Sequence, residues 1–566
     1  MAHERPSAWR IWLLPLSILL VEALAIFVAT FWVDSGGALS RLELLYHHDP
    51  EVAHNAISNA GEVVAGVLGI AITVVAIIVE LASNRYTHRV TELFVSEPIN
   101  FFVMGFFVVT ALQAIFMAVT FDMDGSITGV PHVPAVGMTV ALAMLALCLL
   151  LLLPYFAFVF DFLSPIHIVD RIRRHSMKIV AKGPRRTVQS RQAEAVRGVE
   201  QIADVGLNAM EHKDKGISMA SVDALKAMVI DFQTIRENLE PSFFRVEGEL
   251  AHNPDFVSMS DEVLEAVTKR QIWFEMKVLR KYQTLYNEAL NRMRDINYLI
   301  AINTRHLAEH ALQVGHQELF ELVVKFFNTY LRATVNARDV RTAYNVLHQY
   351  RLLAERALHH EGGDVSVEIA RYFKYYGLVG FNAKLPFVLE TVAYDLCALN
   401  EMAFDEKSEA HRRLLRIFLQ VDKESEGEVQ EVSLRGVRKA QVKLATYYLL
   451  HGDEELAREI YRDMERERRD RLASIRDELL GVKSAEFWEV SDRGVNFDYL
   501  SPDRKEQLLE FFSWFADLAP VRKSMVELPE PSAAEVATAA PKLAQELLDG
   551  PGAGADPAFS EPPPAK

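Results

Sequence analysis

The chain has 566 residues, a formal net charge of −16 at pH 7 and a hydrophobic fraction of 50%. Its mean hydropathy is only +0.07, which predicts a mixture of lipid-soluble and water-soluble parts. The negative charge argues against general nucleic-acid binding, because that function requires a basic surface. The two cysteines, Cys148 and Cys397, are too few for a disulfide framework.

Four long apolar runs lie near the amino terminus, at residues 11–33, 63–81, 101–121 and 135–160. Each has about the 20 apolar residues that a helix needs to cross a bilayer. A cleavable signal peptide is the alternative for the first run, but that run is longer than the apolar core of a typical signal. Residues 1–165 are therefore predicted to form a four-helix transmembrane bundle.

The basic residues predict the orientation of the bundle, because Lys and Arg are retained on the cytoplasmic side. Arg85 and Arg89 lie in the second connection, whereas the first and third connections are mainly acidic. After the fourth run comes a basic juxtamembrane segment, residues 166–188, and its basic character extends to Arg191. We expect a multi-pass protein with both termini in the cytoplasm, whose basic segment binds anionic lipid headgroups of the bilayer.

Polar side chains within the runs form a candidate site. Glu22 lies near the middle of the first run, where an ionised carboxylate costs roughly 2.5 to 3.5 kcal/mol. Thr73, Thr110 and Gln113 are expected at a similar depth, so the four residues could form one polar layer. One interpretation is a path for a cation or proton. The other is a protonated Glu22 that is hydrogen-bonded between helices.

Small residues recur every four positions in the second run, at Gly61, Ala65 and Gly69, followed by Thr73. Such a ridge allows a second helix to approach closely. The neighbouring helix would belong either to the same bundle or to another subunit of a homo-oligomer.

The end of the second run carries Arg85, Tyr86 and Arg89, residues typical of the membrane interface. They are predicted either to anchor the helix end among the headgroups or to couple the cytosolic part to the second and third spans.

The same segment resembles a family of uncharacterised bacterial inner-membrane proteins, a domain-of-unknown-function family, in its pattern L-A-S-x-x-Y-S-P-R-V. The matching residues are Leu81, Ala82, Ser83, Tyr86, Arg89 and Val90. Thr87 and His88 replace the Ser-Pro of the pattern, as in a divergent member. A similar helix includes residues 199–204. The resemblance implies an inner-membrane location and a fold, but no activity.

Residues 189–528 show helical spacing of apolar residues and few strand signals, so the fold class is all-α. We expect a large cytosolic helical domain, either α-solenoid-like or irregular. One hairpin has tetratricopeptide-like spacing at Leu444, Ala445, Tyr448, Gly452, Ala457 and Tyr461. Its use is either to bind a cytosolic protein partner or to pack within the domain.

Motifs for chemistry are missing from the sequence: it has no phosphate-binding loop, no His-Glu-x-x-His zinc motif and no paired Cys-x-x-Cys. The histidines at 47, 48 and 54 and those at 306, 310 and 316 have spacings that zinc can use, but a solvated loop and a helix face explain them better. We expect no enzyme activity, no cofactor and no metal. The Pro- and Ala-rich tail, residues 529–566, is predicted to be disordered.

Two functions remain from these patterns. The first is an oligomeric channel-like or ion-coupled membrane bundle, regulated by the cytosolic helical domain. The second is a membrane-anchored scaffold, in which the tetratricopeptide-like domain recruits a cytosolic protein. An enzyme at the membrane surface has the least support, because the motifs supply no nucleophile, base or metal site.

Overall fold

The computed structural model describes residues 49–85, 89–95, 97–121, 134–182, 186–421, 431–486, 492–494 and 496–521. Within these ranges the regular structure is helical, and none of it is β-strand. The chain divides into two compact units, Met1–His360 and Glu361–Lys566. The prediction of an all-α protein is thus confirmed for the described residues.

The first unit contains thirteen of the described α-helices: α1 Pro50–Arg85, α2 Arg89–Val95, α3 Pro98–Val119, α4 Ala135–Phe162, α5 Pro165–Val180, α6 Val188–Glu211, α7 Lys215–Arg236, α8 Pro254–Val257, α9 Asp261–Lys269, α10 Trp273–Arg292, α11 Arg294–Val314, α12 Gln317–Asn336 and α13 Val340–Arg356. Seven are described in the second unit: α14 Asp364–Asn382, α15 Pro386–Asp405, α16 His411–Phe418, α17 Glu431–Leu450, α18 Glu454–Met464, α19 Arg469–Gly481 and α20 Pro502–Ser513.

Three helices of the described chain, α1, α3 and α4, are long and apolar enough to cross a membrane. They contain the predicted runs 63–81 and 135–160 in full. They also contain the run 101–121 except for its last two residues. The predicted first span, residues 11–33, lies outside the described residues, so the count of four remains a prediction.

Helix α1 begins well before the apolar run that predicted it. Its 36 residues correspond to about 54 Å, whereas the apolar core of a bilayer is only about 30 Å thick. Ala53 and Ile57, in its first turns, are buried in a cluster with Ala114, Met138 and Ala141. Packing against α3 and α4 therefore accounts for the polar extension, which hydrophobicity alone does not predict.

The three membrane helices each contact the other two. Small residues allow the approach of α1 to α3, since a Cβ atom placed on Gly61 would lie 3.4 Å from the Cβ of Ala114. Farther along, Val64 packs with Phe107 and Cys148. Large apolar side chains point away from these contacts, including Ile70, Phe101 and Phe116. Such exposed apolar surface is expected where a helix faces lipid.

The chain leaves the membrane helices through Leu163 and Ser164 and enters α5, whose first residue is Pro165. Proline is favoured at the first helical position, because its missing N–H has no intrahelical acceptor there. Helix α5 buries one face, with Ile168, Ile172 and Val180, and it contacts both α6 and α7. This three-helix contact joins the membrane part to the helical remainder of the first unit.

The remaining helices of the first unit contact one another mostly in chain order. The pair α6 and α7 packs on α10 and α11, which in turn contact α12 and α13. Asp214 and Asp339 cap α7 and α13 by accepting hydrogen bonds from the backbone amides of Ile217 and Thr342. The centre includes Trp273, whose indole N–H donates to the carbonyl oxygen of Phe243 at 2.9 Å.

The second unit is built around α15 and α17, which contact each other. Helices α14 and α16 pack on α15, while α18, α19 and α20 pack on α17. An irregular segment before α20 is tied to this centre by ion pairs. Arg493 pairs with Asp395 of α15 at 2.6 Å, and Lys439 of α17 pairs with Asp498 at 2.7 Å.

Gly198 provides a test of the α5–α6–α7 contact. An added Cβ atom would lie 2.4 Å from the Oγ of Ser176 and 3.0 Å from the Cε of Met228. We expect Gly198→Ala to destabilise the protein by about 1 to 3 kcal/mol, because the tightly packed helices must separate. The thermal midpoint of the full chain in detergent, followed by circular dichroism, measures the effect.

Gly216→Ala is the matched control, since its nearest neighbour would be the Oδ1 of Asp214 at an ordinary 3.6 Å. Its midpoint should stay at or slightly above that of the wild type, because alanine favours helix over glycine. Equal midpoints for the two variants would contradict the assigned close contact.

Candidate functional site

A cavity of about 710 Å³ lies at the end of the membrane bundle from which α4 continues into α5. Helix α1 contributes half of its lining residues, α2 and α3 together contribute five, and Tyr155 reaches it from α4. The lining residues are Ile72, Val75, Ala76, Val79, Glu80, Ser83, Thr91, Phe94, Val95, Asn100, Met104 and Tyr155. Most of this surface is apolar.

Hydrogen bonds organise the polar edge of the cavity. The Tyr155 hydroxyl donates to the Oδ1 of Asn100 at 3.2 Å. The Asn100 Nδ2 in turn donates to the carbonyl oxygen of Phe94, which also accepts from the backbone amide of Glu97 at 3.2 Å. Asn100 thus holds the turn between α2 and α3, and Tyr155 joins that turn to α4.

Glu80 is the one charged residue that lines the cavity within the described chain. It is solvent- or lipid-exposed, and no described side chain forms an ion pair with it. The sequence pattern led to Glu22 as the candidate acidic residue within the membrane, and Glu80 was not predicted, although it also lies inside an apolar run. Its position in the last turns of the run was the available signal, because acids are rare in membrane spans and often functional.

The predicted polar layer is only partly assembled. Thr110 is buried; its hydroxyl donates to the Phe106 carbonyl at 2.8 Å and lies 3.4 Å from the Sγ of Cys148. Gln113 is half-buried on the same helix. Glu22 lies outside the described residues.

Thr73 does not join that group. It is exposed and donates to the Gly69 carbonyl at 2.8 Å. Gly61 packs beside Ala114 and Val64 beside Phe107, so the level of Thr110 lies between Gly61 and Val64 on α1. Thr73 lies nine residues beyond Val64, about 14 Å farther along the helix. Ala65 and Gly69 are also exposed, so the small-residue ridge meets α3 only at its first member, Gly61.

The predicted coupling residues flank the junction between two helices: α1 ends at Arg85 and α2 begins at Arg89. Tyr86 and the side chains of Arg85 and Arg89 lie outside the described part of the chain. Their interfacial role remains a prediction.

Two arginines of the basic segment form ion pairs with carboxylates of the protein. Arg173 and Arg174 both pair with Asp170, and Arg173 also pairs with Asp231. Burial raises the pKa of Asp170, but hydrogen bonds from the two arginines outweigh it and lower that pKa overall. The exposed cations of the predicted lipid-binding set are Arg174, which pairs with Asp170, and Lys178, Lys182 and Arg186.

Arg191 corrects the sequence interpretation directly. Its side chain is fully buried, pairs with Glu240 and lies 3.4 Å from the carbonyl oxygen of Val180. The guanidinium also stacks near the ring of Phe243. Arg191 therefore holds the core of the first unit and cannot reach a headgroup, because α6 turns this side chain toward α5 and the Pro241–Phe244 turn.

The tetratricopeptide-like residues lie in the hairpin of α17 and α18. Gly452 has φ +78°, the left-handed conformation that the tight turn requires. Leu444, Tyr448 and Ala457 are buried, and the Tyr448 hydroxyl lies 2.7 Å from the Nε2 of His411.

Tyr461 of the same hairpin packs on two aromatic rings, those of Trp514 and Phe515, with centroids 5.9 and 4.7 Å away. The predicted hairpin residues thus make internal contacts. A partner would have to use other side chains of the hairpin, and partner binding remains a prediction.

A second buried charge network surrounds Lys277 of α10, whose side chain is fully buried. Its ammonium donates to the Oε1 of Glu200 at 2.6 Å, to the Oδ1 of Asn253 at 2.7 Å and to Asp255. Lys281 adds a contact of 3.2 Å to Asp255. The charges and hydrogen bonds of Lys277, Glu200 and Asp255 therefore satisfy one another, which indicates that these residues have a structural role.

The pKa values of these carboxyls reflect two opposing effects. Burial raises the pKa of Glu200 and of Asp255, but hydrogen bonds and the positive charges of Lys277 and Lys281 outweigh burial and lower both. Asp204 lies nearby without such hydrogen bonds, and burial raises its pKa. The network is consequently stabilising when Glu200 and Asp255 are ionised.

We expect Lys277→Met to destabilise the protein by up to about 3 to 5 kcal/mol at pH 7, because Glu200 and the more deeply buried Asp255 lose their principal cation and keep only Lys281. Because the native pKa values of Glu200 and Asp255 are lowered, their stabilising contribution is present above their ordinary values near 4 and is lost as the pH falls through the native values. The difference between wild type and variant should therefore persist from pH 7 to about 4 and shrink only as the pH falls further, toward about 3. Thermal midpoints across that range measure it.

Lys215→Met is the control, since Lys215 pairs with Asp295 on the surface. Its cost should stay below about 1 kcal/mol at every pH. A pH-independent loss in Lys277→Met would mean that packing, rather than charge, accounts for its effect.

No group of three or more His, Cys, Asp and Glu side chains in the described ranges is arranged to hold a metal ion. No curated protein and no solved structure matches the chain. Residues 9–227, which include the membrane helices, α5, α6 and part of α7, match the model of the family described as Predicted membrane protein (DUF2254). The resemblance inferred from residues 81–90 is thereby confirmed, and the protein is an integral membrane protein whose amino-terminal part is similar to this membrane family of unknown function.

Proposed function

We propose that the protein is an oligomeric, channel-like or ion-coupled membrane bundle of the bacterial inner membrane, with both termini in the cytoplasm and a cytosolic helical domain as its regulator. The observation that carries the proposal is the cavity at the end of the bundle, with the Glu80 carboxylate in its wall. A carboxylate at the edge of an apolar, membrane-embedded cavity attracts cations and excludes anions.

A continuous set of contacts supports regulation from the helical domain. The Arg171 guanidinium of α5 lies 3.9 Å from the centre of the Phe162 ring, at the end of α4. Phe162 packs edge-to-face on Phe94, with centroids 5.3 Å apart, and Phe94 lines the cavity. A shift of α5 relative to the bundle would therefore change the cavity wall.

Oligomerisation is supported by a face of α1 that no described residue covers; the predicted first span lies outside the described ranges. Ala65 and Gly69 are exposed there, and a Cβ atom on Gly69 would meet no other described atom within 4 Å. Helices associate closely in lipid through such small residues. Subunits joined there would enclose more polar surface than one bundle provides.

Ion and proton flux into liposomes that contain the purified full chain tests the proposal. We expect flux in the wild type and a loss of about tenfold or more in Glu80→Gln, because the amide keeps the shape but removes the charge that concentrates cations. Glu22→Gln is expected to reduce flux as well, if the first span contributes its carboxylate to the same path.

Glu92→Gln is the matched control, because Glu92 is an exposed carboxylate of α2 that does not line the cavity. Its flux should equal that of the wild type at equal incorporation. The absence of wild-type flux under every ion gradient and voltage would refute the proposal.

The scaffold function is the second candidate, and one observation favours it. Leu450, at the tip of the α17–α18 hairpin, is 41% exposed although most of its apolar neighbours are buried. Exposed apolar residues on a rigid hairpin can anchor a partner.

If the hairpin recruits a cytosolic protein, Leu450→Asp should lower recovery of that protein with the cross-linked full chain by about tenfold, since a charge opposes burial of the anchor. Leu509→Asp is the control: Leu509 is 47% exposed, on α20. Equal recovery with both variants would argue against the hairpin as the binding surface.

A further inference from the structure

The cavity between α1, α2, α3 and α4 combines three properties that restrict what it can bind. Its volume of about 710 Å³ falls in the range of roughly 300 to 1,000 Å³ that is typical of small-molecule sites. Its wall is mainly aliphatic and aromatic, with Val75, Val79 and Met104 among the lining residues. Its single described charge is the carboxylate of Glu80, and none of the described lining residues is basic.

From this combination we infer that the cavity is a binding site for a lipophilic organic cation, with Glu80 as the counter-ion. The inference deepens the proposed function by naming a ligand class for the same bundle, and it rests on that function only in placing the cavity at membrane depth. The charge of the ligand neutralises Glu80, and the apolar body of the ligand occupies the space that water would otherwise fill.

Aromatic side chains add to cation recognition. Phe94 and Tyr155 both line the cavity, and they are only 7% and 2% exposed. The Tyr155 hydroxyl is engaged by Asn100, which fixes the ring in the wall. An organic cation within about 6 Å of such a ring gains roughly 0.5 to 2 kcal/mol from the ring quadrupole.

Other ligand classes fit the cavity less well. A phosphate, sulfate or fatty-acid head would be repelled by Glu80, and no described lining residue offers it a positive charge. A bare divalent metal ion requires about six oxygen ligands, whereas this wall offers one carboxylate beside isolated hydroxyl and amide groups. A lipid tail would fill the space but would make no use of Glu80.

Binding of tetraphenylphosphonium to the purified full chain in maltoside micelles, measured by equilibrium dialysis, tests the inference. We expect Glu80→Gln to weaken binding by about tenfold or more, since the variant loses the ion pair in a medium of low dielectric constant. Glu80→Asp, which keeps the charge, should retain binding within about threefold of the wild type. Ala76→Phe, which fills the cavity without changing its charge, should weaken binding as strongly as Glu80→Gln.

Glu92→Gln is again the matched control, and its binding should equal that of the wild type. Neutral triphenylphosphine oxide should bind the wild type much more weakly than tetraphenylphosphonium, because it has no net charge for Glu80 to neutralise. Equal binding of the cation by wild type and Glu80→Gln, or equal binding of the cation and the neutral compound, would overturn the inference in favour of a site for lipid tails.

The dialysis and flux experiments separate this inference from the proposed function. Charge-dependent binding without any flux would support the cation site and overturn the channel-like function. Flux without tetraphenylphosphonium binding would support the channel-like function and overturn the organic-cation site.

Discussion

Close packing of α1 against α3 and α4 is the constraint on which the membrane part depends. In lipid there is no hydrophobic force between helices, so association relies on shape and on small residues. Gly61 beside Ala114 allows the approach at one end of α1, and the cluster of Val64, Phe107 and Cys148 continues it. Toward the other end, α2 packs on α1, and the cavity lies where α1, α2, α3 and Tyr155 meet.

The connection from bundle to helical domain is short and well packed. Only Leu163 and Ser164 separate α4 from α5. Helix α5 packs against α6 and α7, and the contact is so close at Gly198 that no side chain fits there. A rigid junction of this kind transmits displacement better than a flexible linker would. The aromatic contact from Arg171 through Phe162 to Phe94 runs through this junction to the cavity wall.

Charges within the helical part serve stability more than surface recognition. Arg191 and Lys277 are both fully buried, and each has carboxylate partners on other elements of the first unit. Removal of one member of such a network leaves its partner in a poorly solvated environment, so these networks also favour one particular arrangement of helices. The exposed cations Lys178 and Lys182 remain available to headgroups.

The sequence by itself determined the class of the protein. Runs of about 20 apolar residues can satisfy their backbone in lipid only as helices, so three described spans appeared where hydropathy predicted them. The segment around Leu81, Ala82 and Ser83 sufficed to indicate the family, and Gly452 marked a real helical turn. These features are local, and local periodicity or a single residue type is enough to specify them.

Tertiary structure decided which side chains come together, because that depends on which faces of the helices pack against each other. Thr73 and Thr110 looked like members of one layer, but the register of α1 on α3 separates them. Arg191 was indistinguishable in sequence from Lys178 and Lys182, which are exposed, whereas α6 turns Arg191 inward. The significance of Glu80 became visible only when α2, α3 and Tyr155 were seen to border a cavity beside it, and no local sequence pattern encodes such a relation between distant segments.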